Sequence, residues 1–175
     1  MGLPWVWQAT AEEVAAEYPC DRYVEGAVAS CLRAVDSAAD AETVFRWYCQ
    51  LRVAPYSYDS LDNWGKPSPR TLTPGLDELE VGQSVMTIFR LVDFTPGRQL
   101  TLRLRNPASR RLYGDIAVSY TVTPRPGGSR LVVKLVIPAE VGAIRRRLLA
   151  WGDLLMMRKQ LITLSTLAEQ TSRKA

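Results

Sequence analysis

Histidine is missing from this chain altogether. That absence removes Ser-His-Asp and Cys-His nucleophile systems, nearly all zinc sites and the usual general base. Any acid–base work would fall to carboxylates, tyrosines, lysines or a cysteine with no imidazole beside it. Cysteine is scarce: Cys20, Cys31 and Cys49 are odd in number and unremarkably spaced. They read as small buried hydrophobes in a reducing cytoplasm rather than a disulfide framework. There is no Walker loop and no G-x-G-x-x-G to cradle a nucleotide, so no cofactor and no metal are expected. No segment approaches the roughly 18–20 unbroken apolar residues of a membrane span. The N-terminus, MGLPWVWQATAEEVAAEYP, lacks the basic start and apolar run of a secretory signal, and the expected location is cytoplasmic.

What is present is the composition of one globular domain: 175 residues, 47% hydrophobic and 23% charged. The expected organisation is an N-terminal extension over 1–19, a single domain over 20–170 and a tail over 171–175. Charge is uneven. Residues 1–97 carry 7 basic and 14 acidic side chains, and residues 98–175 carry 15 and 4, so the halves balance at −7 and +11. Such asymmetry fits either an anionic partner or solvated strand faces and helix ends. Arg103 and Arg105 alternate with Leu100, Leu102 and Leu104, as on the wet side of a half-buried strand. Specific nucleic-acid recognition is not expected, because no basic stripe is interleaved with stacking aromatics.

Periodicity sets the element order. A first strand is expected over Tyr23–Val35, with Val24, Val28 and Leu32 on one face and Glu25 and Arg33 on the other. Asp40 caps a helix over Ala41–Arg52, whose Val44, Trp47, Tyr48 and Leu51 form a core stripe. Pro55 ends it. The turn-rich stretch PYSYDSLDNWGKPSPRTLTPGL has room for one short helix near Tyr58–Trp64 and a brief strand near Arg70–Leu72. Strands follow at Gln83–Phe94, Arg98–Arg105, Leu112–Thr123 and Arg130–Pro138. The turn residues between them are too few for anything but antiparallel neighbours. In the third of these strands Tyr120 lies on the apolar face and needs a hydrogen-bond partner, while Tyr113 and Asp115 lie on the opposite, exposed face. A long helix, Val141–Gln170, closes the chain. Its apolar arc (Leu149, Met156, Met157, Leu161, Leu164, Leu167 and Ala168) has Asp153 and Gln160 near its middle. A carboxylate there is costly unless it is paired, with Arg146 or an arginine from the sheet, or faces a cavity that admits a polar group.

This order resembles the SRPBCC superfamily, the helix-grip fold of START lipid-transfer domains, the birch-pollen-allergen type and bacterial polyketide cyclase/dehydrase-like proteins. The residues that carry the resemblance are DAETVFRWYCQLRVAPYSYDSLDNWGKPSPR, GQSVMTIFRLVDF and AWGDLLMMRKQLITLSTLAE, and PYSYDSLDNWG is similar to an actinobacterial-type subgroup. It implies an α+β fold with a curved antiparallel sheet wrapped around the long C-terminal helix, and two shorter helices between the first strand and the rest. It also implies an internal cavity for a small hydrophobic, polyketide- or lipid-like molecule, and it brings no catalytic motif that can be laid onto this chain. Tyr56, Tyr58, Asp59, Asp62, Asn63, Trp64 and Arg70 would then lie near the cavity mouth, with Tyr120, Met156, Met157 and Gln160 lining the interior.

Three functions from different classes follow. In a cofactor-independent cyclase or dehydratase, Asp153 or Asp59 would move the proton and Tyr58 or Arg70 would stabilise enolate charge. The basic second half would then suit an acidic acyl carrier protein. A non-catalytic carrier of a lipophilic ligand needs only the cavity. A protein-interaction or co-chaperone module would use the outer surface of the sheet. Monomer and homodimer are both compatible with the broad apolar face of the last helix.

Overall fold

A computed structural model describes residues 2–58 and 65–174. Seven strands form one open sheet in the order β1-β2-β7-β6-β5-β4-β3. They are β1 (Val6–Trp7), β2 (Ala27–Ser37), β3 (Ser84–Val85), β4 (Phe89–Thr95), β5 (Gln99–Leu104), β6 (Ala117–Arg125) and β7 (Gly128–Pro138). Only β1 runs parallel to its neighbour, beside β2; the other pairings are antiparallel. Among the described residues four helices accompany them: α1 (Ala11–Ala15), α2 (Ala41–Cys49), α3 (Pro107–Tyr113) and α4 (Ala143–Ser172). None among the described residues is long and apolar enough to cross a membrane.

Local chemistry explains where the helices start. Thr10 and Glu13 form a reciprocal capping box on α1, and Asp40 accepts the Thr43 amide at the start of α2. Asn106 caps α3 with Pro107 in its first turn, where a missing N–H costs nothing. α2 and α4 pack together on the inner face of the sheet, α4 against β2 and α2 against β6 and β7. Between them lies a core that includes Trp47, Tyr48, Leu51, Tyr56, Leu100, Leu102, Tyr120, Leu131, Leu161 and Leu164.

The outer face is covered too. The turn Pro19–Tyr23 lays Cys20, with Tyr18 and Val24 on either side of it, over Leu32, Ala34, Ala117, Val132 and Val136. Cys20 N–H donates to Ser119 Oγ at 2.8 Å. α1 is tied down by Glu13, which takes two hydrogen bonds from Arg130 at 2.8 and 2.9 Å. Asp21 takes one from Lys134 at 2.9 Å.

Several boundaries differ from the sequence reading. The first strand starts at Ala27, because Tyr23 and Val24 belong to the covering turn; Val28 turns out to solvent at a bulge. The strand expected over Gln83–Phe94 is two, broken where Met86 and Thr87 take positive φ. The strand expected from Leu112 begins at Ala117. Tyr113 ends α3, and Asp115 is half-buried in ion pairs with Arg103 and Arg110 rather than exposed. No strand forms at Arg70–Leu72. The short helix expected at Tyr58–Trp64 lies almost wholly outside the described residues.

Candidate functional site

The middle of α4 presents two polar side chains to the apolar interior, two turns apart. Asp153 meets Arg33 of β2, with Arg33 Nη2 2.8 Å from Asp153 Oδ2. Arg33 is 1% exposed, and the Asp153 side chain 10%. The Arg33–Asp153 contact is an ion pair without a hydrogen bond to Oδ2; the guanidinium donates instead to the carbonyls of Trp5 (2.8 Å), Leu32 (2.9 Å) and Ala150 (3.2 Å). One arginine thus joins β1, β2 and α4. Its Nε–H is buried and makes no hydrogen bond within the described protein, which leaves one donor for a water or ligand oxygen.

Gln160, one heptad further on, is fully engaged. Its Oε1 accepts the Tyr120 hydroxyl at 2.8 Å. Its Nε2 donates to the Pro55 carbonyl at 2.5 Å and lies 3.3 Å from Met86 Sδ. The backbone on both sides of this amide is strained. Tyr56, next to Pro55, has φ 56°, and Met86 and Thr87 have φ 46° and 63°. Non-glycine residues rarely adopt that region and do so at a cost of about 1–3 kcal/mol each.

The two pairs share one electrostatic environment. Burial raises the Asp153 carboxyl to about 6, although the Arg33 guanidinium pulls it down. Burial also drives the Tyr120 phenol far above its ordinary range, and the nearby Asp153 charge adds to that. Cys31, beside them on β2, is pushed up to about 12 by burial and then by Asp153. It is therefore a neutral thiol near pH 7. Asp153 is the group of this cluster that titrates close to neutrality.

Aromatic rings pack around the cluster. Tyr56 stands edge-on to Trp47 (5.8 Å, 87°) and Tyr48 edge-on to Tyr120 (5.5 Å, 66°). Recesses also occur elsewhere among the described residues. One of about 340 Å³ opens where Arg22, Tyr23, Arg103, Asp115 and Glu140 meet, and one of about 100 Å³ lies beside Arg46, Gln50 and Asp77. Towards β3 and β4 the core ends in half-buried apolar side chains, among them Leu72, Leu79, Met86, Phe89 and Phe94.

No family model matches the sequence, and no curated protein does. Solved structures do match. A protein of Nitrosomonas europaea superposes with a TM-score of 0.52 over 82% of this chain and 96% of its own, at 12% identity. The di-domain ARO/CYC protein StfQ of the steffimycin biosynthetic pathway gives 0.50 over 87% of this chain and 54% of its own, again at 12% identity. A Chromobacterium violaceum protein gives 0.49 at 18% identity, over 80% and 96%. The chain has the helix-grip fold.

Within the helix-grip fold the expected site residues separate into groups. Tyr120, Gln160 and Asp153 lie in the interior cluster. Met157 is buried on the same helix face, and Met156 is half-buried one turn before Gln160. Tyr56 is enclosed in the core at 1% exposure rather than standing at an opening. Tyr58 (40% exposed) and Arg70 lie at the surface. Asp59, Asp62, Asn63 and Trp64 fall outside the described residues. An arginine from the sheet was expected as one partner for Asp153, and Arg33 is that residue, although it was not named for the site from sequence.

Proposed function

We propose that the protein binds a small, mainly apolar molecule carrying one oxygen-bearing polar group, between the inner sheet face and α4. The observation that carries this reading is the pair of polar contacts, Arg33–Asp153 and Tyr120–Gln160, set inside an apolar core with Arg33 Nε unsatisfied. A buried ion pair adds little stability over apolar residues of similar volume, so stability alone is a poor account of the cluster. Binding sites of this kind are apolar with a few placed polar groups. The half-buried rim at Leu72, Leu79, Met86, Phe89 and Phe94 is where such a molecule would enter. The strained Tyr56 and Met86–Thr87 backbones beside Gln160 are where the wall would yield. The likeness to StfQ adds only a shared architecture.

A second reading has its own support. A carboxyl at about 6 suits proton transfer near neutral pH, so the same cluster could turn a bound molecule over without a cofactor, Asp153 carrying the proton.

Native mass spectrometry of the gently purified protein tests binding. The expected result is an added mass of a few hundred daltons that is lost in Gln160→Leu while the fold is retained. A clean apo mass, unchanged after incubation with host extract, would sink the binding reading.

A further inference from the structure

α4 is apolar on two opposite faces. The inner one carries Leu161, Leu164, Leu167 and Ala168. The outer one carries Ile144, Leu148, Trp151, Leu155 and Ile162, from 42% exposed at Trp151 to 80% at Ile144. At about 100° per residue these five fall within roughly 60° of arc and span about 27 Å of helix. Spacings of four, three and four residues, with Arg158 at the next position, are those of a heptad seam. Isolated exposed leucines are ordinary, whereas an aligned row of apolar side chains marks an interaction surface.

The shoulders of the seam decide what fits it. Arg147 flanks one side, and Arg145 and Lys159 the other, while Arg158 lies over the Trp7 ring. Arg145 also donates to the carbonyls of Arg111 and Leu112, which brings exposed Leu112 and another arginine to the same end. No ion pair among the described residues engages Arg145, Arg147 or Lys159. A second copy is a poor occupant. Antiparallel pairing about Trp151 sets Arg145 against Arg158 and Lys159, and parallel pairing sets each cation against itself. A flat anionic membrane would call for a wider stripe, of about 100° or more. A narrow seam with cationic shoulders is complementary to a helix with an apolar seam and acidic shoulders.

We propose that the outward face of α4, from Ile144 to Ile162, docks an acidic amphipathic helix of a partner protein, packed alongside α4 with its carboxylates against Arg145, Arg147 and Lys159. This surface lies on the side of α4 opposite the interior cluster, so its use is independent of the binding reading above.

A fluorescein-labelled synthetic helix with leucine at the seam positions and glutamate on both flanks tests this by anisotropy against the full chain. The expected result is saturable binding that weakens as salt rises. It should also weaken at least about tenfold in Leu148→Ser/Leu155→Ser, a loss of about 1.4 kcal/mol or more, while the variant melts as the wild type does. Versions of the peptide with lysine flanks, or with serine in the seam, should not bind. Several results would overturn the proposal: no binding, equal binding of the serine-seam peptide, or unchanged affinity in the double variant. So would a dimer in sedimentation that Leu155→Ser dissociates, or binding to phosphatidylglycerol vesicles without binding to the peptide.

Discussion

Arg33 and Asp153 are worth more to each other than to the fold. Removing the guanidinium strands the carboxylate in the interior, at a cost of about 3–5 kcal/mol, whereas replacing both with apolar residues is close to neutral. Arg33→Met should therefore lower stability in urea unfolding at pH 7, because it leaves the Asp153 carboxylate buried with no counter-charge, and Arg33→Met/Asp153→Leu should recover most of it. Asp153→Asn keeps the uncharged state that burial favours and should cost far less. The pair also has a pH signature. Because the folded carboxyl sits at about 6 against 3.8 for the unfolded chain, the folded state keeps a proton that the unfolded chain gives up. This group's contribution to stability thus falls, by on the order of 3 kcal/mol, as pH rises from about 4 to about 6, and is level above. Glu13, lowered chiefly by its hydrogen bond from Arg130, works in the opposite sense: its contribution is present above the ordinary value and lost on acidification. The double variant should lack the pH 4–6 decline; an identical profile in both proteins would mean that Asp153 does not carry a raised pKa. Asp153 and Gln160 were legible from their place in the helix arc. Arg33 was not, because both faces of β2 are buried, one under α4 and one under the N-terminal turn, so alternation no longer separates inside from outside.

At the level of elements, short turns fix the sheet. β6 and β7 join through Pro126 and Gly127, and Gly128 opens β7 at φ 156°. A Cβ at Gly128 would stand 2.0 Å from the Ser37 carbonyl oxygen of β2. Backbone cannot yield as a side-chain tip can. Gly128→Ala should cost about 2–3 kcal/mol in urea unfolding; a loss below about 0.5 kcal/mol would contradict that close approach. The long antiparallel strands and α4 were legible because their periods run over many residues. α3 was not. Asn106-Pro107 reads as a turn, yet the same two residues are an N-cap and a first-turn proline, and Gly114 (φ 79°) closes the helix. The break at Met86–Thr87 had no signal, since neither residue type favours positive φ.

For the molecule as a whole, the uneven charge of the two halves is partly spent internally. Acids of the N-terminal half meet bases of the later strands: Glu13 with Arg125 and Arg130, Asp36 with the same two, Asp21 with Lys134. The cations of α4 remain outside this pairing, which is why the proposed docking surface lies there. The interior remains the seat of the proposed ligand. Three methionines serve as reporters: Met86, Met156 and Met157 border or enter the interior, and none of the three lies on the outer seam of α4. Methyl-carbon-13 methionine spectra during titration with 8-anilinonaphthalene-1-sulfonate, an apolar probe with one anionic group, test the site directly. The account predicts saturable shifts of Met86, Met156 and Met157, and their loss in Gln160→Leu. Probe fluorescence rising while all three interior methyls stay fixed would place binding on the outer seam and contradict an interior ligand site.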